Sequence, residues 1–327
     1  MVLRSVVGAV TLAVAAVLAA PAAATPPGTN GMIVWQRESR NAPPRLWVAN
    51  ADGSAARQVF AGGRRQGEFE ATFSPTDPNV MFFSRFRRRP FSEDIFRGDL
   101  ATGAVSRVTR ARSADIAPTV SPDGTRIAYF GVPRPRRLDP DVPPPPERIH
   151  IANLDGSSDR AITARRRRSI DPDWSPDGTR LVYTEARFVG RRQIPQNRLV
   201  VINADGTGRT VLTAFGGADE INPKWMPDGQ TIVFERLRQR GNRSDILAIS
   251  VGGGAARTLL ATPAWETNPV PSPDGARIAF TSDRDRRGRE RLGRGFELYT
   301  MAVDGSDIVR LTNNRRSDIF PDWQRLP

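Results

Sequence analysis

The chain of 327 residues has no cysteine, one histidine (His150) and, among 48 basic residues, one lysine (Lys224). Without thiols there is no disulfide framework, no cysteine nucleophile and no thiolate metal site, and with one imidazole there is no multi-histidine metal site. A Ser/His/Asp triad would have to use His150, for which no catalytic partner is visible, so His150 reads as a structural or surface residue. Long apolar runs are also missing after the N-terminal segment, which excludes a membrane-spanning helix in the rest of the chain. No EF-hand loop, phosphate-binding loop or dinucleotide fingerprint is present.

Residues 1–24 read as a signal peptide. Arg4 supplies a basic start, Val6 to Leu18 an apolar run too short to span a bilayer at ~20 residues, and Pro21-Ala22-Ala23-Ala24 a small-residue cleavage site. The expected product is one secreted or periplasmic cell-envelope domain, residues 25–327, with no transmembrane segment after cleavage. With 39% hydrophobic residues it can bury a substantial core, and 28 Gly with 28 Pro point to many turns.

What is present is a repeat. Phe73-Ser74-Pro75-Thr76-Asp77 recurs as Val120-Ser121-Pro122-Asp123-Gly124, Trp174-Ser175-Pro176-Asp177-Gly178, Trp225-Met226-Pro227-Asp228-Gly229 and Pro271-Ser272-Pro273-Asp274-Gly275, its prolines spaced 47, 54, 51 and 46 residues apart. That period belongs to four-stranded blades. Proline sets one corner of the turn, aspartate bonds its own backbone and glycine accepts positive φ, so the motif is a hairpin device. Alternating apolar residues follow it, as in Leu181-Val182-Tyr183 and Ile232-Val233-Phe234.

A second hairpin turn, Asp-Gly at 52–53, 155–156, 205–206 and 304–305, is matched by Thr102-Gly103 and Gly252-Gly253. Six such turns stand against five proline-anchored ones, and the missing partner is at the other end, where Asp318-Ile319-Phe320-Pro321-Asp322-Trp323 parallels Ser169-Ile170-Asp171-Pro172-Asp173-Trp174. The expected fold is therefore all-β: a six-bladed propeller in which residues 28–60 give three strands of one blade and residues 317–325 its inner fourth, a closure that removes the free edges. Phe73, Trp174, Trp225 and Trp323 are expected to fill the wedges between blades.

The repeated Pro-x-Trp-Ser-Pro-Asp-Gly, the Asp-Gly-(Ser/Thr) hairpin and the Leu-Thr endings at Leu212-Thr213 and Leu311-Thr312 resemble the TolB-type, WD-like propeller repeat of bacterial envelope proteins. The likeness covers nearly all of 28–327 and extends to the propeller part only, because the first blade follows shortly after the expected cleavage site. It implies a binding protein, possessing neither the hydrolase domain nor the Gly-x-Ser-x-Gly of the prolyl-oligopeptidase type.

In each blade the strands are lettered a to d from the axis outward. The b–c loops and d–a connections emerge on one face, and together they hold 35 arginines against 16 acidic residues. Such a field attracts anions, and the guanidinium fork fits carboxylate and phosphate. Candidate binding residues are Arg87, Arg88, Arg89, Arg165, Arg166, Arg167, Arg168, Arg286 and Arg287. A compositional bias that merely leaves solvated loops reads the same pattern equally well. The proline-rich stretch Pro133 to Pro146 is either a spacer or an arm beside the channel mouth.

Counting back from the serine of each turn, position −6 is Glu68, Asp115, Ser169, Glu220, Glu266 and Asp318, and position −4 includes Glu70 and Asp171. Glu68, Glu70, Asp115, Asp171, Glu220, Glu266 and Asp318 are expected at the mouth of the central channel. There they can hold a cation such as calcium or a partner's amine, act as an acid/base pair on a sugar, or simply pair with nearby arginines. No cofactor and no catalytic residue is assigned. The expected function is an exported, monomeric, non-enzymatic binding protein whose partner is a protein or an anionic envelope polymer and, given export, not nucleic acid. The alternative is a carboxylate-dependent hydrolase or lyase of anionic polysaccharide.

Overall fold

A computed structural model describes residues 28–60, 62–87, 93–110, 113–133, 146–189, 194–216, 218–238, 243–284 and 295–326. These form six four-stranded antiparallel sheets, with no helix among the described residues. Blade 2 is Gln66–Phe73, Val80–Arg87, Asp94–Asp99 and Val105–Arg107. Blade 3 is Ser113–Val120, Arg126–Pro133, Arg148–Asn153 and Arg160–Ala161. Blade 4 is Arg168–Trp174, Arg180–Val189, Ile194–Asn203 and Thr210–Val211. Blade 5 is Asp219–Trp225, Thr231–Arg238, Arg243–Ser250 and Arg257–Leu260. Blade 6 is Glu266–Pro271, Arg277–Ser282, Glu297–Ala302 and Val309–Arg310.

Blade 1 is the closure the repeat count requires. Its inner strand, Ser317–Leu326, pairs with Thr29–Ser39, followed by Ala42–Ala49 and Arg57–Gln58. The register sets Asp318 opposite Arg37 and Trp323 opposite Ile33. The closure completes the sixth sheet, so the first and last blades pack against each other instead of ending the array with an exposed blade face.

The two turn motifs have separate jobs. In the proline turn, Ser175 donates to Asp177 at 2.5 Å while its oxygen accepts the Arg180 amide at 2.9 Å, and Ser121 and Ser272 repeat the pattern. In the Leu-Thr endings at Thr213 and Thr312, and in the equivalent Val108-Thr109 and Ile162-Thr163, the threonine hydroxyls accept the amides of Leu199, Leu298, Ile95 and Ile149 at 2.9–3.0 Å. The hydrophobic core lies between blades rather than within them: Trp174 packs with Leu181 and Tyr183 of its own blade and with Ala128, Ile149 and Ile151 of blade 3. Its indole N–H also donates to Thr119 O at 3.2 Å, and Trp323 repeats this toward Val270 O.

The Asp-Gly glycine answers to its neighbour as well as to its own φ. At Gly156 (φ 83°) an added Cβ would stand 2.3 Å from Val108 O of blade 2, whereas at Gly103 (φ 72°) it would meet nothing within 4 Å. Gly103→Ala should cost about 1 kcal/mol, the penalty of positive φ alone, and Gly156→Ala about 2–3 kcal/mol because the blade contact must also give way. Urea midpoints of the two variants check this, and equal losses would remove the inter-blade contact as the cause.

Candidate functional site

The inner strands carry the site, and each has the same irregularity. Glu70, Ala117, Asp171, Asn222, Asn268 and Phe320, all at position −4, have φ between 47° and 54°. Ladder register slips at or beside that residue in every blade. This is a bulge with one residue in the left-handed region, a geometry that asparagine and aspartate tolerate better than most. Proline follows at 118, 172, 223, 269 and 321, where it has no N–H to leave unpaired.

The bulge separates position −6 from the channel. Glu68, Asp115, Glu266 and Asp318 are fully buried and Glu220 nearly so, and four of the five are held by arginines. Asp318 takes Arg37 through both oxygens at 2.6 and 2.8 Å, and Glu68 takes Arg45 at 3.0 Å and Arg85 at 3.1 Å. Glu220 pairs with Arg236 at 2.6 Å and Glu266 with Arg284 at 2.7 Å, while Asp115 accepts from Ser113. Burial raises the carboxyl pKa of Glu68, Asp115 and Glu266, opposed by these partners. Blade 4 exchanges the roles across the ladder: Ser169 stands on strand a and Glu185, opposite it on strand b, gathers Arg167, Arg198 and Arg209. Those arginines outweigh burial and hold Glu185 below the usual carboxylate range.

Positions −4 and −2 line the channel, a cavity of about 80 Å³ bounded by Glu70, Asp171, Asn222, Lys224, Phe320 and Asp322 among others. Asp173, at the −2 position of blade 4 that Lys224 occupies in blade 5, accepts its ammonium at 3.2 Å and the Trp225 amide at 2.8 Å; Asp322 accepts the Phe73 amide at 3.0 Å. Lys224 lies deep in the molecule, yet 30% of its side chain faces the channel space. Desolvation pushes Glu70 up to about 8, with the nearby Asp171 charge adding to it, and burial carries Asp171 and Asp322 to about 6 against the pull of Lys224. Lys224 itself is raised: burial alone would lower it, but Asp173, Asp322 and Asp171 prevail. Glu235 stands behind this layer, accepting from Thr267 and Asn222, and is raised by burial. Glu70 Oε2 is buried with no hydrogen-bond partner.

Of the acidic residues read from the sequence, only Glu70 and Asp171 reach the channel wall; Glu68, Glu220, Glu266 and Asp318 lie under the loop face in arginine pairs, and Asp115 is buried there against Ser113. Asp173, Lys224, Asp322 and Glu235 were not among them, although the lone lysine and the −2 position of the repeat both pointed there. Among the described residues no group of three acidic or histidine side chains is arranged to hold a metal ion, and in the channel the ammonium of Lys224 faces the carboxylates instead. His150 is outside the channel, its Nδ1 2.9 Å from Asp159 and its ring stacked on Tyr129.

The loop face is described in part. Arg165 and Arg166 are exposed, whereas Arg167 is paired with Glu185 and Arg168 with Glu147. Arg87 ends strand b of blade 2. Arg88, Arg89, Arg286, Arg287, residues 134–145 of the proline-rich stretch and the signal segment lie outside the described residues. No helix among the described residues is long and apolar enough to cross a membrane.

A family model described as the TolB beta propeller domain matches residues 145–325. The chain is 30% identical over 181 residues to the protein TolB homolog of Chlorobium luteolum, covering 55% of this chain and 36% of that protein. To the Tol-Pal system protein TolB of Bordetella pertussis it is 31% identical over 160 residues, or 49% and 33% of the two chains. It thus spans about a third of the length of these curated relatives. Among solved structures, TolB from Acinetobacter baumannii superposes with a TM-score of 0.68 at 20% identity over 90% of this chain and 66% of the other. An oligogalacturonate lyase in complex with manganese gives 0.57 at 18% over 85% and 73%. At these identities the structural likeness is one of fold.

Proposed function

The chain belongs to the TolB β-propeller domain family, and from that premise we propose that it is an exported, non-enzymatic binding protein of the cell envelope, docking an acidic protein partner on its arginine-rich loop face around the channel mouth. The observation that carries this reading is the division of charge. Under the loop face, Glu68, Glu185, Glu220, Glu266 and Asp318 are neutralised by buried or half-buried arginines, and Asp173 by Lys224, while Arg64, Arg65, Arg110, Arg165, Arg166 and Arg315 remain exposed on the d–a connections. Unspent positive charge over one face steers an acidic partner and fixes its orientation. The relative named as a Tol-Pal system protein supports a protein partner and an envelope location.

A polysaccharide hydrolase or lyase is disfavoured by size. Ligand sites for sugars and comparable molecules run to roughly 300–1,000 Å³, and the channel offers about 80 Å³. Its acids can receive water or a single cationic tip, not a sugar ring flanked by two carboxylates.

The test is partner capture by the purified chain from an envelope extract at about 50 and about 300 mM salt, between which the screening length shortens about 2.4-fold. Retention of an acidic protein at low salt, weakened several-fold by R165Q/R166Q, is the expected result. Only these two arginines are changed because Arg167 and Arg168 hold Glu185 and Glu147. Retention indifferent to both salt and substitution would refute docking on this face.

A further inference from the structure

A concavity of the loop face sits on the closure seam. The hairpin joining Thr29–Ser39 to Ala42–Ala49 stands beside the connection that leads into Ser317–Leu326, and between them is a groove of about 560 Å³. Arg37, Arg40, Arg45, Arg315, Arg316 and Trp47 line it, and among the described residues no acidic side chain does. Its volume is that of a small-molecule site rather than of a surface dimple.

Two of the five arginines are already committed. Arg37 is clamped by Asp318 and lies 4.0 Å from the centre of the Trp47 ring; Arg45 is held by Glu68 and by the carbonyls of Gly63 and Gln66. These contacts fix the floor of the groove. The other three, Arg40, Arg315 and Arg316, are exposed, and no described acidic residue pairs with them. Three uncompensated guanidinium groups from opposite ends of the sequence thus face one cavity, where mutual repulsion disfavours them and an anion would relieve it. The guanidinium fork accepts phosphate or carboxylate through two parallel hydrogen bonds.

We propose that this groove binds a multiply charged oxyanion, a ligand bearing at least two phosphate or carboxylate groups, bridging Arg40 to Arg315 and Arg316. This deepens the docking reading above by giving the basic face one specific receptor position, and it rests on that reading. The ligand can be a free polyanion or a charged segment of a chain, since both offer the same groups. A bound anion joins the N-terminal hairpin to the C-terminal connection, so it also ties the seam and raises the melting temperature by mass action.

Inorganic tripolyphosphate, citrate and polygalacturonate are titrated into the purified chain, with an uncharged oligosaccharide as control, following heat release and melting temperature. Saturable binding with a raised melting temperature is expected, weakened about tenfold or more in R40A/R315A/R316A and less than about twofold in R165A/R166A. Binding of the small anions marks a free ligand, and binding of the polymer alone marks a chain segment; both support the groove. Equal weakening in the two variants would overturn it in favour of a diffuse field while leaving the docking reading intact. No binding of any probe overturns the groove alone, because partner capture tests the docking reading separately.

Discussion

Asp318→Ala is expected to lower stability by about 3–5 kcal/mol, the cost of leaving a buried charge without its partner. Asp318 is fully buried, and it meets Arg37 through both oxygens across the one ladder that joins the two ends of the chain. It also accepts from Asn314 at 2.7 Å, so the substitution removes the acceptor of three N–H groups on two residues at once. Against a typical total of 5–15 kcal/mol, that is about a fifth or more of what holds a domain folded. The same loss in another blade would loosen one sheet; here it loosens the closure on which the other five depend. Asp318→Asn, which keeps an acceptor but not the charge, should lose roughly half as much. Urea denaturation followed by tryptophan fluorescence measures both, and an alanine variant within about 0.5 kcal/mol of wild type would class the pair with ordinary surface ion pairs.

Stability should also fall as the pH rises from about 4.5 to about 8, and Glu70 is the main cause. Its carboxyl is raised from 4.5 to about 8 in the folded protein by desolvation and the adjacent Asp171. Between those two values the folded state holds a proton that the unfolded chain has released, so folding is progressively disfavoured as pH rises. The contribution is whole below about pH 4.5 and gone above about pH 8. At 1.36 kcal/mol per unit the upper limit is roughly 4–5 kcal/mol, with Asp171 and Asp322 adding their own shares at lower pH. Glu70→Gln cannot ionise, so it should match wild type near pH 4.5 and exceed it by about 2–4 kcal/mol near pH 8.5. Parallel pH profiles for the two proteins would show that Glu70 is not the group responsible.

The sequence conveyed the architecture because every blade repeats its turn chemistry in register. Ser121-Pro122-Asp123-Gly124 and Asp155-Gly156 name their own hairpins through φ and side-chain bonding, and the match of Asp318 to Trp323 with Ser169 to Trp174 located the closing strand. The acidic rim was legible only by half. Strict alternation puts positions −6, −4 and −2 on one face, but the left-handed residue at −4 slips the ladder by one, so Glu68 and Asp318 turn to arginines while Glu70 and Asp171 face the channel. Nothing in residue order announces that slip when Glu70, Ala117 and Phe320 adopt a conformation usually left to glycine or asparagine. Nor does the order reveal which arginines are spent, since Arg167 and Arg168 sit in the same run as the exposed Arg165 and Arg166.

The choice of lysine over arginine at position 224 has a practical side. Apart from the α-amino group, the whole chain offers amine-selective reagents a single target, and that target points into the channel against Asp173. Acylation at this one atom therefore reports who else occupies the channel: a partner tip lodged there shields the amine, and an open bore leaves it to be tagged, giving a chemical footprint at one residue with no engineered label.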